Sequence, residues 1–323
     1  MAAECLIAFA ARFIRDISHH RDVRTEPLAE AFRCEFGLSK FPRYKDLLRA
    51  CKDAGIIVAW LPATAPMEGA NAWVEGRSPM ISLRVGLPIA RAETTLCHEL
   101  REVIETAIKR AEHAYVGLAT HENAHMNPRS DRFGGHLLMH SGAARERLAA
   151  NGFDFITFAR DTRRSIASVV TRAQELFPRH FHGSAPVAGL WLYEAPSSLL
   201  QGGGATLATL CVTQESHLMG FSTAKAGRES AVAAAAFPTR WASAQDADVV
   251  RDAVVSGQPS SRAVGGFDLF GDRDFTVVAE PLFVRDLLRQ VLLTAIRNDS
   301  LALTRPWLHR LNLPTTACTF PGL

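Results

Sequence analysis

The stretch Thr94–Ala107, "TTLCHELREVIETA", sets His98, Glu99 and Glu102 in an H-E-x-x-E pattern. Residues four apart on an α-helix share a face, so His98 and Glu102 project together and could hold one cation between them. Glu99 lies one step round the helix, the place of the general base beside a metal-bound water in the H-E-x-x-H motif of zinc peptidases. A carboxylate is an ordinary zinc ligand, which makes Glu102 chemically admissible where that motif has its second histidine. Glu105 lies further along the same stripe and could brace the ligands from behind. An amphipathic helix rich in Glu, Arg and Lys produces the same string without any site, so the pattern asks for a third donor nearby.

Candidates for that donor stand downstream. Six of the twelve histidines fall from His98 to His140, and His121, Glu122 and His125 precede Asp131. A set of His98, Glu102 and either Asp131 or His125 would give tetrahedral coordination with water in the fourth place, and zinc or manganese would be the cofactor. Plainer roles exist for each residue. Asp131 can complement the positive N-terminus of its own helix, His125 can be a solvated loop residue, and His136 and His140, four apart, can lie on an exposed face.

The elements that must position these groups are legible as periodicities. Leu96, Leu100, Val103, Ile104, Ala107 and Ile108 trace one apolar stripe through a stretch, from about Glu93 to His113, that lacks Gly and Pro, which predicts a helix carrying the motif. Before it, Leu6, Phe9, Phe13 and Ile17 predict an N-terminal helix, Leu28–Phe36 a second that stops at Gly37, and Tyr44–Asp53 a third that stops before Gly55. The β-branched run Ile56–Leu61, ending at Pro62, reads as a strand. The segments "AWVEG" and "PMISLRV", with Gly76, Arg77 and Ser78 between them, read as a hairpin. Asn127-Pro128 predicts the start of a helix buried through Phe133, Leu137 and Leu138.

Asp154 reads as the cap of a pair of short helices in "FITFARDTRRSIASVVTRAQELF", broken near Arg163–Ser165, the outline of a helix-turn-helix unit. The composition changes past His182. The runs "VAGLWLY" and "ATLATLCV" read as strands on either side of "QGGG", followed by an alanine-rich helix around "AVAAAAF", a strand at "DFTVVAEPL" and a helix at "VRDLLRQVLLTAIR". A domain boundary is expected near 180–186.

The whole chain narrows the class. Its 323 residues exceed the usual single domain, with 47% hydrophobic and 21% charged residues and a net charge of +3. That balance describes a globular protein and argues against DNA as a partner, although Arg163, Arg164 and Arg172 would meet phosphate if the helix pair did bind it. The six cysteines show no C-x-x-C pair, which argues against both a disulfide framework and a thiolate zinc site and predicts reduced thiols. Glu4, Arg12, Arg15 and Asp16 interrupt the first apolar run, so neither a signal peptide nor a membrane span is expected and a cytoplasmic location follows.

The order "DLLRACKDAGIIVAWLPA", "ANAWVEGRSPMISLRV", "ETTLCHELREVIE", "SDRFGGHLLMHSG" and then the helix pair, over about residues 28–178, resembles the ImmA/IrrE family of zinc metallopeptidases. Phe133-Gly134-Gly135-His136-Leu137-Leu138-Met139 matches that family's F-A-A-x-L-L-M, with Asp131 in an Asn/Asp position. Asp154, Ala159, Ser165, Val169 and Arg172 fall in register with the segment that follows in the family. The resemblance implies an α+β fold: a mostly helical zincin-like core with a small sheet, a helix-turn-helix-like segment and, in the longer IrrE-type subgroup, a C-terminal α/β GAF-like sensor. On this chain those parts are the N-terminal helix at 1–27, the metallopeptidase domain at 28–145, the helix-turn-helix-like segment at 146–182 and the sensor at 183–323.

It further implies a hydrolase with His98 as first ligand and Glu99 as general base, which cleaves a helix-turn-helix transcriptional repressor in a stress or mobile-element response. A small-molecule ligand would bind the C-terminal domain. Two positions depart from the family pattern: Glu102 replaces the second histidine, and Asn127 replaces the third-ligand glutamate. The implied alternative is a catalytically silent regulator that keeps the scaffold and binds a repressor or a small molecule.

Overall fold

The helix that carries the H-E-x-x-E string organises the N-terminal half by burying its apolar stripe, with Leu96, Cys97, Leu100, Ile104 and Ala107 all fully buried. The computed structural model describes residues 2–17, 25–112, 126–177, 186–195, 204–218, 244–268 and 271–315. The described chain forms two compact units, Met1–Ala144 and Arg145–Leu323. It is a mixed α+β fold with two sheets.

In the first unit, helices α1 (Ala2–Ile17), α2 (Thr25–Glu35) and α3 (Tyr44–Asp53) precede strands β1 (Ile57–Leu61), β2 (Gly69–Ala72) and β3 (Met80–Arg84). The long helix α4 (Ile89–Glu112) and helix α5 (Met126–Leu138) follow. One hydrophobic cluster joins Leu6 and Phe9 of α1, Phe32 of α2, Leu47 of α3, Ile81 and Leu83 of β3, the α4 stripe, and Phe133 and Leu137 of α5. The three strands run in the order β1-β3-β2, with β1 parallel and β2 antiparallel to β3. Arg33, buried on α2, donates to the carbonyls of His136 (2.5 Å) and Leu137 (2.9 Å), so a cation caps the negative C-terminal end of α5.

Helix α6 (Ser141–Ala150) leads into the second unit, which holds α7 (Phe155–Thr162), α8 (Ile166–Leu176), β4 (Val187–Glu194), β5 (Cys211–His217), α9 (Asp248–Ser256), β6 (Ser260–Asp268), β7 (Gly271–Val284), β8 (Leu287–Arg297) and α10 (Leu301–Arg310). The five strands pair antiparallel throughout in the order β5-β4-β8-β7-β6. Trp191, Tyr193, Val277, Leu293 and Ala295 pack with Val249, Val250 and Ala253 of α9. Val278 and Ile296 pack with Leu301, Trp307 and Leu308 of α10. The expected helix pair is present: Asp154 caps α7 by accepting from the Thr157 N–H (2.7 Å), Ser165 caps α8, and Arg163 makes the left-handed turn between them. Both helices belong to the same compact unit as the sheet that follows them.

The structure changes several boundaries. "VRDLLRQVLLTAIR" is a strand, not a helix, because β8 lies between β4 and β7 and is buried over most of its length, and a central strand covered on both faces loses the alternation that marks strands. Arg285 and Asp286 form the two-residue loop between paired Val284 and Leu287, both with positive φ, the twist a tight hairpin requires. The strand expected at "AWVEG" sits earlier, at Gly69–Ala72. The run "ATLATLCV" turns over Leu207–Thr209 before pairing from Cys211 onward. Helix α5 begins at Met126, which places Asn127 inside its first turn. The alanine-rich stretch "AVAAAAF" lies outside the described residues. Among the described residues no helix is long and apolar enough to cross a membrane.

Glu280 of β7 is buried and accepts from Trp307 Nε1 of α10 (2.8 Å). Burial pushes its carboxyl up to about 7, with Asp154 adding to the rise and the Trp307 hydrogen bond and Arg310 opposing it. The folded state therefore keeps a proton that the unfolded chain releases near 4.5. This contribution is complete at acidic pH and is lost as pH rises through about 7. Melting curves from pH 5 to 8 should show a loss of order 3 kcal/mol attributable to this group, and Glu280→Gln should flatten the dependence.

Candidate functional site

Strand β2 lies along α4, and its period-two alternation meets the helix turn by turn. Gly69 comes first: a Cβ there would stand 2.5 Å from Thr95 Cγ2 and 2.8 Å from Glu99 Oε1, so the strand can lie this close to the helix only without a side chain at 69. Asn71 is next, and its Nδ2 donates to Glu99 Oε2 (2.6 Å) and to Glu102 Oε2 (2.7 Å). Trp73, just past the strand, lies under the Arg110 guanidinium, 4.2 Å from the ring centroid, and its carbonyl accepts from Arg110 Nη2 (2.9 Å). The indole N–H donates to the Arg77 carbonyl (3.1 Å) and folds the loop toward β3 back on itself.

His98 and Glu102 do share a face: Nε2 and Oε1 are 3.3 Å apart, each side chain about three-quarters buried. Asp131, on α5 and largely exposed, meets the other ring nitrogen, Nδ1, at 3.2 Å. The hydrogen bond that the ring donates to Asp131 raises the His98 pKa, burial lowers it, and Asp131, Glu102 and Glu99 raise it further through their charges. Burial pushes the Glu99 carboxyl up and Glu102 adds to the rise, while the hydrogen bond from Asn71 and the charge of His98 oppose it.

The predicted ligand set is thereby divided. Glu102 and Asp131 lie at opposite nitrogens of one imidazole, so Asp131 can orient the ring but cannot share a cation held at Nε2. Glu105 pairs with the buried Arg101 (2.6 Å), which commits it to an ion pair within α4. His125, His121 and Glu122 lie outside the described residues. Among the described residues no group of three or more His, Cys, Asp or Glu side chains is arranged to hold a metal ion. Two donors meet where a zinc peptidase uses three, so the described residues do not fit a resident metal.

His136 and His140 serve the packing of α5 rather than an exposed face. His136 Nδ1 lies 3.6 Å from Glu26 and His140 Nε2 3.5 Å from Glu30, both glutamates on α2. His140 Nδ1 also accepts from the Ala143 N–H (3.2 Å) and so caps α6. Arg164 and Arg172, weighed for phosphate contact, are both buried. The apolar face of α8 packs on the sheet, where Ser216 Oγ donates to the Val170 carbonyl and Thr171 pairs with Gln214 (3.1 Å). Asn71 belongs to no motif, although the alternation of Gly69, Asn71 and Trp73 in "GANAW" is a signal in the sequence.

No family model matches the chain, and no curated protein matches it in sequence. A solved structure described as a Mycobacterium tuberculosis transcriptional regulator is similar to it in fold, with a TM-score of 0.53 and 11% identity, covering 97% of this chain and 86% of that one. The ImmA/IrrE resemblance therefore rests on the motifs and their order.

The contact at Gly69 is directly testable. Gly69→Ala should lower the stability of the first unit by roughly 1–3 kcal/mol, because the new methyl must displace the β-branched Thr95 or the Glu99 carboxylate. Denaturant titration of the variant against the parent chain checks this.

Proposed function

We propose that this chain is a regulatory protein whose first unit keeps a peptidase-like helix as a binding scaffold without using a metal to cut peptide bonds. The observation that supports this reading is the line Glu102–His98–Asp131, in which the imidazole stands between two carboxylates instead of joining them around one ion. The likeness in fold to a protein described as a transcriptional regulator agrees with a regulatory role. The partner on this reading is a helix-turn-helix repressor, bound intact. The second unit, an antiparallel sheet with helices packed against it, would act as a GAF-like sensor for a small-molecule ligand.

Elemental analysis of the purified full chain, together with incubation with the helix-turn-helix repressor encoded beside it, separates this reading from the metallo-endopeptidase one. The expected result is no stoichiometric zinc or manganese and a stable complex in which the repressor stays whole. Near-stoichiometric metal that is lost in His98→Ala and in Glu102→Ala, accompanied by repressor cleavage that stops in Glu99→Gln, would reverse the conclusion and restore Glu99 as the base.

A further inference from the structure

Among the described residues the two sheets end on four edges, β1 and β2 in the first unit and β5 and β6 in the second. An open edge offers unpaired backbone N–H and C=O groups to any added strand, and proteins blunt such edges with charges, bulges, weak strand formers or a covering element. Strand β5 carries Glu215 and a register shift against β4, β6 carries Arg262, Gly265, Gly266 and Asp268, and β2 is short and lies along α4. Strand β1 has none of these devices. Its sequence is Ile57-Val58-Ala59-Trp60-Leu61, its register on β3 is unbroken, and Ile57 and Trp60 are 54% and 58% exposed.

The ladder fixes which groups face outward. The Ile57 N–H donates to the Pro79 carbonyl (2.9 Å) and the Leu61 carbonyl accepts from the Val85 N–H (3.0 Å), so Ile57, Ala59 and Leu61 spend their backbone groups on β3. Alternate residues of a strand bond to opposite sides, which turns the N–H and C=O of Val58 and Trp60 to the open edge. We propose that this edge is an interface between two copies of the chain, with β1 pairing antiparallel to β1 of the second copy about a two-fold axis through Ala59.

The match of the edge to itself identifies the occupant. With the axis at Ala59, Val58 stands opposite Trp60 of the second copy and Trp60 opposite its Val58, so every outward group finds a counterpart. An axis at Val58 would set Trp60 against Ile56, whose N–H is committed to the Cys51 carbonyl (2.8 Å), and an axis at Trp60 would set Val58 against Pro62, which has no N–H. The exposed Trp60 then packs beside Val58 of the second copy on one face of the sheet, and the exposed Ile57 beside its Leu61 on the other. The strand is uncharged and the net charge of the chain is only +3, so charge repulsion does not oppose the pairing. The pairing is independent of the regulatory reading above and leaves its metal and repressor tests untouched.

Sedimentation of the full chain from about 1 to 200 µM should show a rise toward twice the 35.3 kDa mass of the chain. Trp60→Lys places a charge on the edge, as natural edge strands do. It should weaken association by about 10-fold or more, yet melt with the parent in dilute solution because Trp60 is already exposed. Should it fail to fold, Ile57→Lys takes its place. The register is read by cross-linking: residues at the axis form a non-hydrogen-bonded pair with Cα atoms about 4.5 Å apart, within disulfide reach. Ala59→Cys should therefore link to itself under mild oxidation, above the background set by the exposed Cys5 and Cys34 of the parent. Ile57→Cys should not link to itself, at a separation of roughly 13 Å, but should link to Leu61→Cys in a mixture.

A monomer at every concentration, with no Ala59→Cys link, overturns the proposal. So does a dimer that Trp60→Lys leaves intact, which would put the interface elsewhere on the chain. An edge that takes its added strand only from the repressor, seen as a Trp60→Lys-sensitive complex around a monomeric chain, overturns it as well.

Discussion

Two carboxylates on a largely buried helix need a shared partner, and the first unit is built so that one strand supplies it. Glu99 and Glu102 follow from an H-E-x-x-E spacing, and Asn71 reaches both because β2 lies along α4 at close range. That approach depends on the absence of a side chain at Gly69 and on the Arg110–Trp73 clamp at the far end. The parallel pairing of β1 with β3 and the antiparallel pairing of β3 with β2 put β2 at the sheet edge, where its alternate residues can face the helix. The geometry of the candidate site is thus a property of strand placement as much as of the helix.

The second unit solves a different problem, covering both faces of an antiparallel sheet. Helix α9 buries one face through Val249, Val250 and Ala253, and α10 covers part of the other through Leu301, Trp307 and Leu308. Helix α8 spends its apolar face on the same sheet, where Ser216 of β5 bonds the Val170 carbonyl and Gln214 meets Thr171. Buried polar groups follow the same logic: Trp307 finds Glu280, and the buried Asp154 finds the exposed Arg310 (2.6 Å), which also donates to the Asn151 carbonyl (3.3 Å). The buried carboxyl of Glu280 answers by holding its proton to higher pH.

Where reading the chain succeeded, a local signal was strong. The α4 stripe, the Tyr44–Asp53 helix, the caps at Asp154 and Ser165, and the strand at "VAGLWLY" each rest on a repeat or on a capping residue whose hydrogen bonds are short-range. Where it failed, neighbours distant in sequence had the decisive influence. "VRDLLRQVLLTAIR" is rich in leucine and carries no alternation, yet it becomes β8 because β4 and β7 offer their edges on both sides. Leucine favours a helix only weakly, and a continuous ladder of backbone hydrogen bonds outweighs that preference.

The candidate site divides along the same line. The sequence by itself determined that His98 and Glu102 share a face of a helix, since a rise of one turn per 3.6 residues leaves no alternative once the helix forms. It also determined that Glu99 lies beside them. Only the tertiary structure decided what those groups meet: Asp131 arrives at the wrong nitrogen of His98 for a shared ion, Glu105 turns to Arg101, and Asn71 crosses from another element to take both glutamates. The reason is that helical periodicity specifies directions around one axis, whereas coordination requires several axes to converge, and the distance and angle between packed elements are set by side-chain volumes such as the missing one at Gly69.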